Sequence, residues 1–155
     1  MNFDKLYQAY ADTVYGFLMF KLHDIHLAED IMQEVFLAVH QGLRKNLRID
    51  SPRAWILSVA HHKMVDHLRK NRSNAQCLTT DTIPDKAVEE TSSLFVEEIL
   101  NQLPDTERTI IYGLYIEGLT CKELAEMLMI PEGTIKSKAH YARKKIRNRL
   151  GGIPK

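Results

Sequence analysis

The residues of this chain that most clearly point to chemistry are cationic. The stretch GTIKSKAHYARKKIRNRL, from Gly133 to Leu150, holds seven Lys or Arg and no Asp or Glu. Ammonium and guanidinium groups at this density suit phosphate, because protein cations release the counterions condensed on a nucleic acid. A basic run by itself is more often the solvated face of a helix, so the surrounding elements must decide between the two interpretations.

Charge is segregated along the rest of the chain. Residues 44–72 form a second basic block, with eight Lys or Arg against two Asp or Glu. The next segment, residues 73–107, holds one Lys and eight acids, and the whole chain carries a net charge of only +1. Two basic blocks on a nearly neutral chain are typical of nucleic-acid binding.

No pattern in the sequence indicates catalysis or a metal. Cys77 and Cys121 form no CxxC pair, which argues against a zinc site. Asp30 and Glu34 lie one helical turn apart, but they fit an exposed docking face better than a pair of metal ligands. We therefore predict that the protein is not an enzyme, with no metal, no cofactor and no small-molecule substrate, and that Cys77 is a passive thiol. The absence of a signal sequence or a long apolar run predicts a cytoplasmic location.

Apolar spacing predicts helices throughout and no strands. Three helices are expected over residues 3–22, 27–43 and 52–72, the last with Ser51 as N-cap and Pro52 in its first turn. Residues 73–93 are acidic and weakly periodic, which indicates a flexible linker. The predicted fold is therefore all-α, with two small helical domains over residues 1–72 and 94–152.

The second domain contains a helix-turn-helix pattern. Pro104 and Gly118 mark the start and end of one helix. Thr120 and Glu123 then form a capping box for a short helix, which is expected to pack through Leu124, Ala125 and Leu128. A turn and a basic helix follow, and this order of elements is the pattern that inserts a helix into the DNA major groove.

The basic helix has two predicted faces. It is expected to start with Pro131 in its first turn and to bury Ile135, Ala139, Ala142, Ile146 and Leu150. The N-terminal part of such a helix meets base edges, so Lys136, Ser137 and His140 are the candidates for base reading. Lys138 and Tyr141 suit either bases or backbone. The candidates for phosphate contacts are Arg143, Lys144, Lys145 and Arg147.

The first basic block suits a different form of nucleic acid. The segment SPRAWILSVAHHKMVDHLRKNR places an aromatic residue and histidines among cations. Bases of a single strand stack on aromatic rings while the backbone lies in positive potential. The plainer alternatives are that Trp55 belongs to the core and that His61 and His62 are ordinary surface residues.

Three motifs, in this order, resemble the extracytoplasmic-function (ECF) sigma factors of the sigma-70 family. AEDIMQEVFLAVHQGL is similar to the family's polymerase-docking helix, SPRAWILSVAHHKMVDHLRKNR resembles its promoter-opening helix, and LPDTERTIIYGLYIEGLTCKELAEMLMIPEGTIKSKAHYARKKI follows its second-domain pattern. The resemblance covers nearly the whole chain except the linker. It implies that the two domains are sigma domain 2, a helical bundle, and sigma domain 4, a helix-turn-helix.

The resemblance also implies partners and residue roles. Core RNA polymerase would be bound by Asp30, Gln33, Glu34 and Phe36. The melted non-template strand of the minus-ten element would be captured by Arg48, Arg53, Trp55, His62, Lys63 and Arg69. The duplex minus-thirty-five element would be read by Lys136, Ser137, Lys138, His140, Tyr141, Arg143 and Lys144. An anti-sigma factor is a further expected partner.

The chain departs from the family's pattern at a few positions. His62 stands where many members have Asn, and Lys138 and Tyr141 stand where Arg is frequent. One alternative is a helix-turn-helix DNA-binding regulator with a helical N-terminal domain, and another is a polymerase-binding adaptor that has lost promoter function. The Trp-led basic segment favours a sigma factor over the regulator, because it suits single-strand capture rather than ligand sensing.

Overall fold

The computed structural model describes residues 2–45, 48–74 and 98–149. These residues form two units, an N-terminal unit and a C-terminal unit, divided between residues 84 and 85. Both units are built from helices, and no strand occurs in the described ranges, which confirms the all-α prediction. Most of the predicted linker, including Cys77, lies outside the described residues.

The N-terminal unit is a bundle of three long helices. They are α1 (Phe3–Leu22), α2 (Ile25–Arg44) and α3 (Pro52–Asn74). The third helix continues through Asn74 and so enters the segment predicted as linker. Each of the three helices packs against the other two.

Side-chain caps set the starts of these helices. The Asn2 side chain accepts a hydrogen bond from Asp4 N at 2.7 Å, and Asp24 accepts from Leu27 N at 3.1 Å. Ser51 Oγ accepts from Ala54 N at 3.3 Å, as its predicted role as N-cap requires. Such caps satisfy backbone N–H groups that have no partner within the helix, and they are readable in the sequence.

Aliphatic side chains fill the centre of the bundle. Burying one such side chain contributes about 1.5–3 kcal/mol, so packing between the helices dominates the stability of this unit. The residues with no exposed surface are Val14, Leu18, Ala28, Ile31, Val35, Val39, Ile56 and Ala60.

The C-terminal unit consists of shorter elements. Residues 98–101 are helical, and α4 (Asp105–Ile111) follows Pro104. Then come a π-helical turn (Tyr112–Ile116), α5 (Cys121–Leu128) and α6 (Glu132–Arg149). The last helix packs against both α4 and α5.

The sequence pattern did not predict the π-helical turn. Its wider hydrogen bond joins Glu117 N to Tyr112 O at 3.1 Å, and Leu119 N then donates to Gly113 O at 2.8 Å. A Cβ atom on Gly113 would lie 2.7 Å from Leu124 Cδ2, so a larger residue would force the buried Leu124 side chain to shift. Gly118 follows with a φ of 70°, which confirms that it ends the helical segment.

The short helix α5 begins as predicted but packs differently. Thr120 and Glu123 form both hydrogen bonds of the capping box, each 3.0 Å long. Leu124 is buried, whereas Ala125 and Leu128 are only half-buried. Met127 is buried in their place, because it lies three residues from Leu124 and its unbranched side chain adapts to the core.

The basic helix α6 buries the expected stripe. Ile135, Ala139 and Ala142 are buried and Ile146 is half-buried, while Leu150 lies outside the described residues. The prediction for Pro131 was wrong by one position. Its carbonyl accepts from Ile135 N at 3.1 Å, so Pro131 is the N-cap and the first turn begins at Glu132.

Candidate nucleic-acid and protein interfaces

The outward face of α6 carries the residues predicted to contact duplex DNA. Lys138 is half-buried, and the exposed members of the set are Lys136, Ser137, His140, Tyr141, Arg143 and Lys144. An α-helix turns by about 100° per residue. That geometry aligns Lys136, His140, Arg143 and Arg147 along one stripe, beside the buried face of the helix.

The first residues of this stripe have only weak competing contacts. Lys136 Nζ lies 3.7 Å from Glu132 Oε2, and both side chains are largely exposed. An exposed ion pair of this kind is worth about 0–1 kcal/mol, so a DNA phosphate or base can displace it at small cost. The rings of His140 and Tyr141 meet edge to face, with centroids 5.4 Å apart.

Two cations farther along α6 contact the body of the unit. Arg143 Nη1 donates to Tyr115 Oη at 3.0 Å, and Lys145 Nζ donates to Glu107 Oε1 at 3.1 Å. The Glu107 side chain is only 12% exposed. Lys145 therefore neutralises a nearly buried carboxylate, and this contact argues against the prediction that it meets phosphate. Sequence reasoning missed Tyr115 and Glu107 because they lie 28 and 38 residues from their partners.

A buried tyrosine stands at the start of the π-helical turn. Burial raises the pKa of the Tyr112 hydroxyl well above its ordinary value, and the charge of Glu117 and a hydrogen bond to that carboxylate raise it further. The phenol therefore stays neutral and donates across the turn. This contact ties the two ends of the π-helical turn together.

The helix α3 presents a second row of candidate residues. Trp55, His62, Asp66 and Arg69 share one face by helical spacing, and the buried Ile56, Ala60 and Met64 lie on the other side. His62 and Arg69 are exposed, while Trp55 is half-buried. This position argues against the alternative in which Trp55 is simply a core residue.

The remaining minus-ten candidates differ in their surroundings. Lys63 is half-buried, and Arg48 forms a highly exposed ion pair with Asp50 at 3.6 Å. Arg53 lies with its Cζ atom 5.5 Å from the centre of the Tyr10 ring on α1. A cation–π contact of this kind attaches the start of α3 to α1, so Arg53 has a structural partner that the sequence did not reveal.

The docking candidates on α2 separate into surface and interior. Asp30, Gln33 and Glu34 are exposed. Phe36 is only 5% exposed, with its ring centroid 4.8 Å from that of Tyr7 and 6.3 Å from that of Phe3. Phe36 therefore packs mainly against α1, and its part in polymerase docking stays a prediction.

An open groove of about 910 Å³ runs between α1 and α2. Gln33 is part of its wall, and Leu37, also in the wall, is 60% exposed. Other lining residues are Phe3, Tyr7, Tyr15, Met32, Phe36 and His40. Of the polar docking candidates, Gln33 lines this groove, and the acidic residues in its wall are Asp12 and Glu29. The sequence pattern did not identify the apolar floor, because the floor combines side chains from two helices.

The described residues give no sign of a metal centre or a membrane span. No cluster of three or more His, Cys, Asp or Glu side chains in the described ranges could hold a metal ion. None of the described helices is both long and apolar enough to cross a bilayer.

Family models and relatives agree with both units. The model for sigma-70 region 2 matches residues 6–74, and the model for sigma-70 region 4 matches residues 99–148. ECF RNA polymerase sigma factor SigK of Mycobacterium ulcerans is 31% identical over 159 residues, covering 96% of this chain and 85% of its own. ECF RNA polymerase sigma factor SigM of Bacillus subtilis is 28% identical over 163 residues, covering 95% of this chain and 94% of its own.

Solved structures share the fold. The sigma factor RpoE in complex with the anti-sigma factor NepR from Bartonella quintana has a TM-score of 0.78 at 18% identity, covering 98% of both chains. CnrH in complex with the cytosolic domain of CnrY has a TM-score of 0.68 at 20% identity, covering 98% of this chain and 89% of the other.

The match over the N-terminal unit decides between a sigma factor and a regulator with an unrelated N-terminal domain. A regulator with an unrelated helical sensing domain would match region 4 alone, whereas here region 2 matches as well. The chain therefore belongs to the ECF RNA polymerase sigma factors of the sigma-70 family.

Proposed function

We propose that the two units of this sigma factor divide promoter recognition between them. Like other members of the family, the protein binds core RNA polymerase and promoter DNA to initiate transcription, and it is not an enzyme. In our proposal α6 reads the duplex minus-thirty-five element, and α3 with the residues before it takes up the melted minus-ten strand. The observation that carries this proposal is the cationic stripe of α6 beside a buried stripe of small residues.

Residue roles along α6 follow from the geometry of a helix in the major groove. Lys136, Ser137 and His140 lie in its N-terminal half, where a recognition helix approaches base edges. Lysine donates to guanine O6 or N7 but lacks the two-pronged fork of arginine. Arg143 and Lys144 lie farther along and suit phosphates, which fix the register of the helix rather than read sequence.

The α3 face suits a single strand because it combines a ring with cations. Trp55 retains exposed surface on which a base can stack, and His62 lies two turns along the same face. Stacking is worth about 1–3 kcal/mol per base, which offsets the few kcal/mol needed to extrude a base from the duplex. Arg48, Lys63 and Arg69 supply positive potential for the backbone of the strand.

Docking on polymerase is assigned to a polar rim beside the groove, formed by Asp30, Gln33 and Glu34 of α2, of which Gln33 also lines the groove. Asp30, Gln33 and Glu34 are exposed and lie beside apolar side chains that include Leu37. A helical partner that buries an apolar stripe in the groove and presents polar groups to this rim matches that chemistry. Once both units are tethered to polymerase, effective concentration supplies promoter affinity that neither unit has alone.

An anti-sigma factor is proposed as a further partner. Two proteins of the same fold were solved as complexes: the sigma factor RpoE with the anti-sigma factor NepR, and CnrH with the cytosolic domain of CnrY. The same groove and rim offer such a partner an apolar surface with acidic edges. We also assign the protein to the cytoplasm, where it meets polymerase.

The polymerase assignment is tested by removing the rim. We expect Asp30→Ala combined with Gln33→Ala to weaken association with core polymerase by about tenfold or more, as for the loss of interface residues that carry binding energy. The matched control is Asp66→Ala, which removes an exposed carboxylate from α3 and should leave association unchanged. Association is measured by fluorescence anisotropy of the labelled chain titrated with core enzyme. Unchanged affinity for the double variant would contradict the placement.

A further inference from the structure

The contact between Tyr115 and Arg143 joins the π-helical turn to the recognition helix. Arg143 Nη1 donates to the Tyr115 hydroxyl at 3.0 Å, and both side chains are exposed. Arg143 lies on the same stripe of α6 as Lys136 and His140. The tyrosine therefore reaches the DNA-facing side of a helix to which it does not belong.

The π-helical turn explains how Tyr115 comes to this position. In an unbroken α-helix, Tyr115 would lie one turn beyond Ile111 and would share its face. Ile111 is buried, with 6% exposure, yet Tyr115 is 60% exposed. The wider turn, closed by Glu117 N and Tyr112 O, rotates the later residues off the buried face. Gly113 permits this turn to lie against Leu124.

We propose that Tyr115 is a positioning residue that holds the Arg143 guanidinium in place for a DNA phosphate. Arginine has five N–H donors in a rigid fork. The tyrosine hydroxyl accepts from one terminal nitrogen, which leaves the other donors of the fork for phosphate oxygens. A guanidinium that is already oriented loses less side-chain entropy when it binds, and that entropy is otherwise a considerable part of the cost of association.

A second polar contact restrains the same part of α6. Lys145 pairs with the nearly buried Glu107 at 3.1 Å. Because Arg143 and Lys145 are two residues apart, they point to different sides of the helix. The buried stripe of Ile135, Ala139 and Ala142 sets the rotation of α6 about its axis, and the two contacts add polar restraints on different sides of the helix near Ala142.

This inference rests on the proposed contact between α6 and DNA, and the experiment separates the two. Holoenzyme is assembled from core polymerase and the full chain. Its affinity for a duplex carrying the minus-thirty-five element is measured by anisotropy at several KCl concentrations. The variants are Tyr115→Phe, Arg143→Ala, Lys144→Ala and the two double variants that combine Tyr115→Phe with each of the others. Tyr115→Phe removes one hydroxyl and keeps the ring, and thermal unfolding checks that it folds like the parent chain.

The expected result is a coupling confined to one pair. Arg143→Ala weakens binding and lowers the slope of log affinity against log salt by about one, the loss of one phosphate contact. Tyr115→Phe weakens binding about threefold to tenfold, the effect of one hydrogen bond. Tyr115→Phe should not weaken binding further when Arg143 is already alanine. It should weaken binding by the same factor as in the parent chain when Lys144 is alanine.

Two other results would overturn the proposal in different ways. If Tyr115→Phe has no effect, or weakens binding equally in the Arg143→Ala background, Tyr115 does not act through Arg143, although α6 still contacts DNA. If neither Arg143→Ala nor Lys144→Ala changes affinity or the salt slope, the assignment of α6 itself fails, and the proposal fails with it.

Discussion

The two units hold their cationic helices in different ways. In the N-terminal unit, α3 packs through apolar residues such as Ile56 and Ala60. Arg53 at its start lies over the Tyr10 ring of α1, and the exposed Arg69 pairs with Asp66 on the same helix. In the C-terminal unit, α6 is packed through apolar residues too, but Arg143 and Lys145 also contact side chains that precede the helix-turn-helix.

We relate this difference to the two forms of DNA that we propose for the two units. A single strand is flexible, so rings and mobile cations can adapt to it and stacking supplies much of the affinity. A duplex presents phosphates at fixed spacing, so a helix that enters its groove benefits from cations that are already oriented. The comparison predicts that the C-terminal unit depends on its polar contacts and its π-helical turn, while the N-terminal unit depends on its core and its exposed side chains.

The largest effect is expected where the π-helical turn meets α5. Gly113→Val places a branched side chain against Leu124, and such overpacking should destabilise the C-terminal unit by about 2–3 kcal/mol. Chemical denaturation followed by far-UV circular dichroism measures this change. Trp55, the single tryptophan of the chain, reports on the N-terminal unit, so its fluorescence transition should not move.

Gly133→Ala is the matched control for that substitution. A Cβ atom on Gly133 meets nothing within 4 Å, and alanine in a helix is favoured over glycine by about 0.5–1 kcal/mol. The control should therefore be neutral or stabilising. If Gly113→Val and Gly133→Ala destabilise the unit equally, the close approach of Gly113 to α5 does not stabilise the π-helical turn.

The next effect concerns sequence reading by α6. Lys136→Ala combined with His140→Ala should reduce discrimination at the minus-thirty-five element by about 2 kcal/mol, because side chains that pair with bases contribute about 1–3 kcal/mol each. Binding to matched and scrambled duplexes measures the loss. Association with core polymerase is the control, and its loss in this variant would contradict the division of roles between the units.

A smaller effect is expected from the ion pair beneath α6. Lys145→Met keeps the apolar stem but leaves the Glu107 carboxylate without its cation, which should destabilise the C-terminal unit by about 1–2 kcal/mol. Adding Glu107→Gln should recover part of that loss. Lys144→Met, at a neighbouring exposed position, should change stability by less than about 0.5 kcal/mol. Both lysine variants are compared by chemical denaturation. An equal loss in the free energy of unfolding for the two would show that Lys145 has no special structural role.

The smallest effect is expected on α3. His62→Asn exchanges an imidazole ring, which can stack on a base as well as donate and accept hydrogen bonds, for a smaller amide. We expect base preference to change at one minus-ten position, by about 1 kcal/mol, with preference at the minus-thirty-five element unchanged. Selection from a promoter library randomised at the minus-ten element tests this, and an unaltered preference would exclude His62 from base reading.

Much of this architecture could be predicted because its determinants are local. Ser51 and Thr120 cap the helices that follow them, and Gly118 ends the segment before the helix-turn-helix. The apolar spacing of α6 likewise identified Ile135, Ala139 and Ala142 as its buried face. Residues within about one turn of each other carry these signals, so the sequence contains them directly.

The features that were missed depend on contacts between distant segments. The π-helical turn depends on the fit of Gly113 against Leu124, and the roles of Arg143 and Lys145 depend on Tyr115 and Glu107. Phe36 matches a docking motif, and its ring packs against Tyr7 of α1. No periodicity reports such pairings, because each one forms only when the helices pack.

The central claim, that two separate surfaces read two promoter elements, is tested most directly by run-off transcription. Core polymerase and the purified chain transcribe a promoter library that is randomised at both elements. Parallel reactions use the Lys136→Ala, His140→Ala double variant and the His62→Asn variant. We predict specific transcripts whose enriched sequences change only at the minus-thirty-five element for the α6 variant and only at the minus-ten element for the α3 variant. Absence of promoter-specific transcripts, or a change at both elements caused by either variant, would contradict the account.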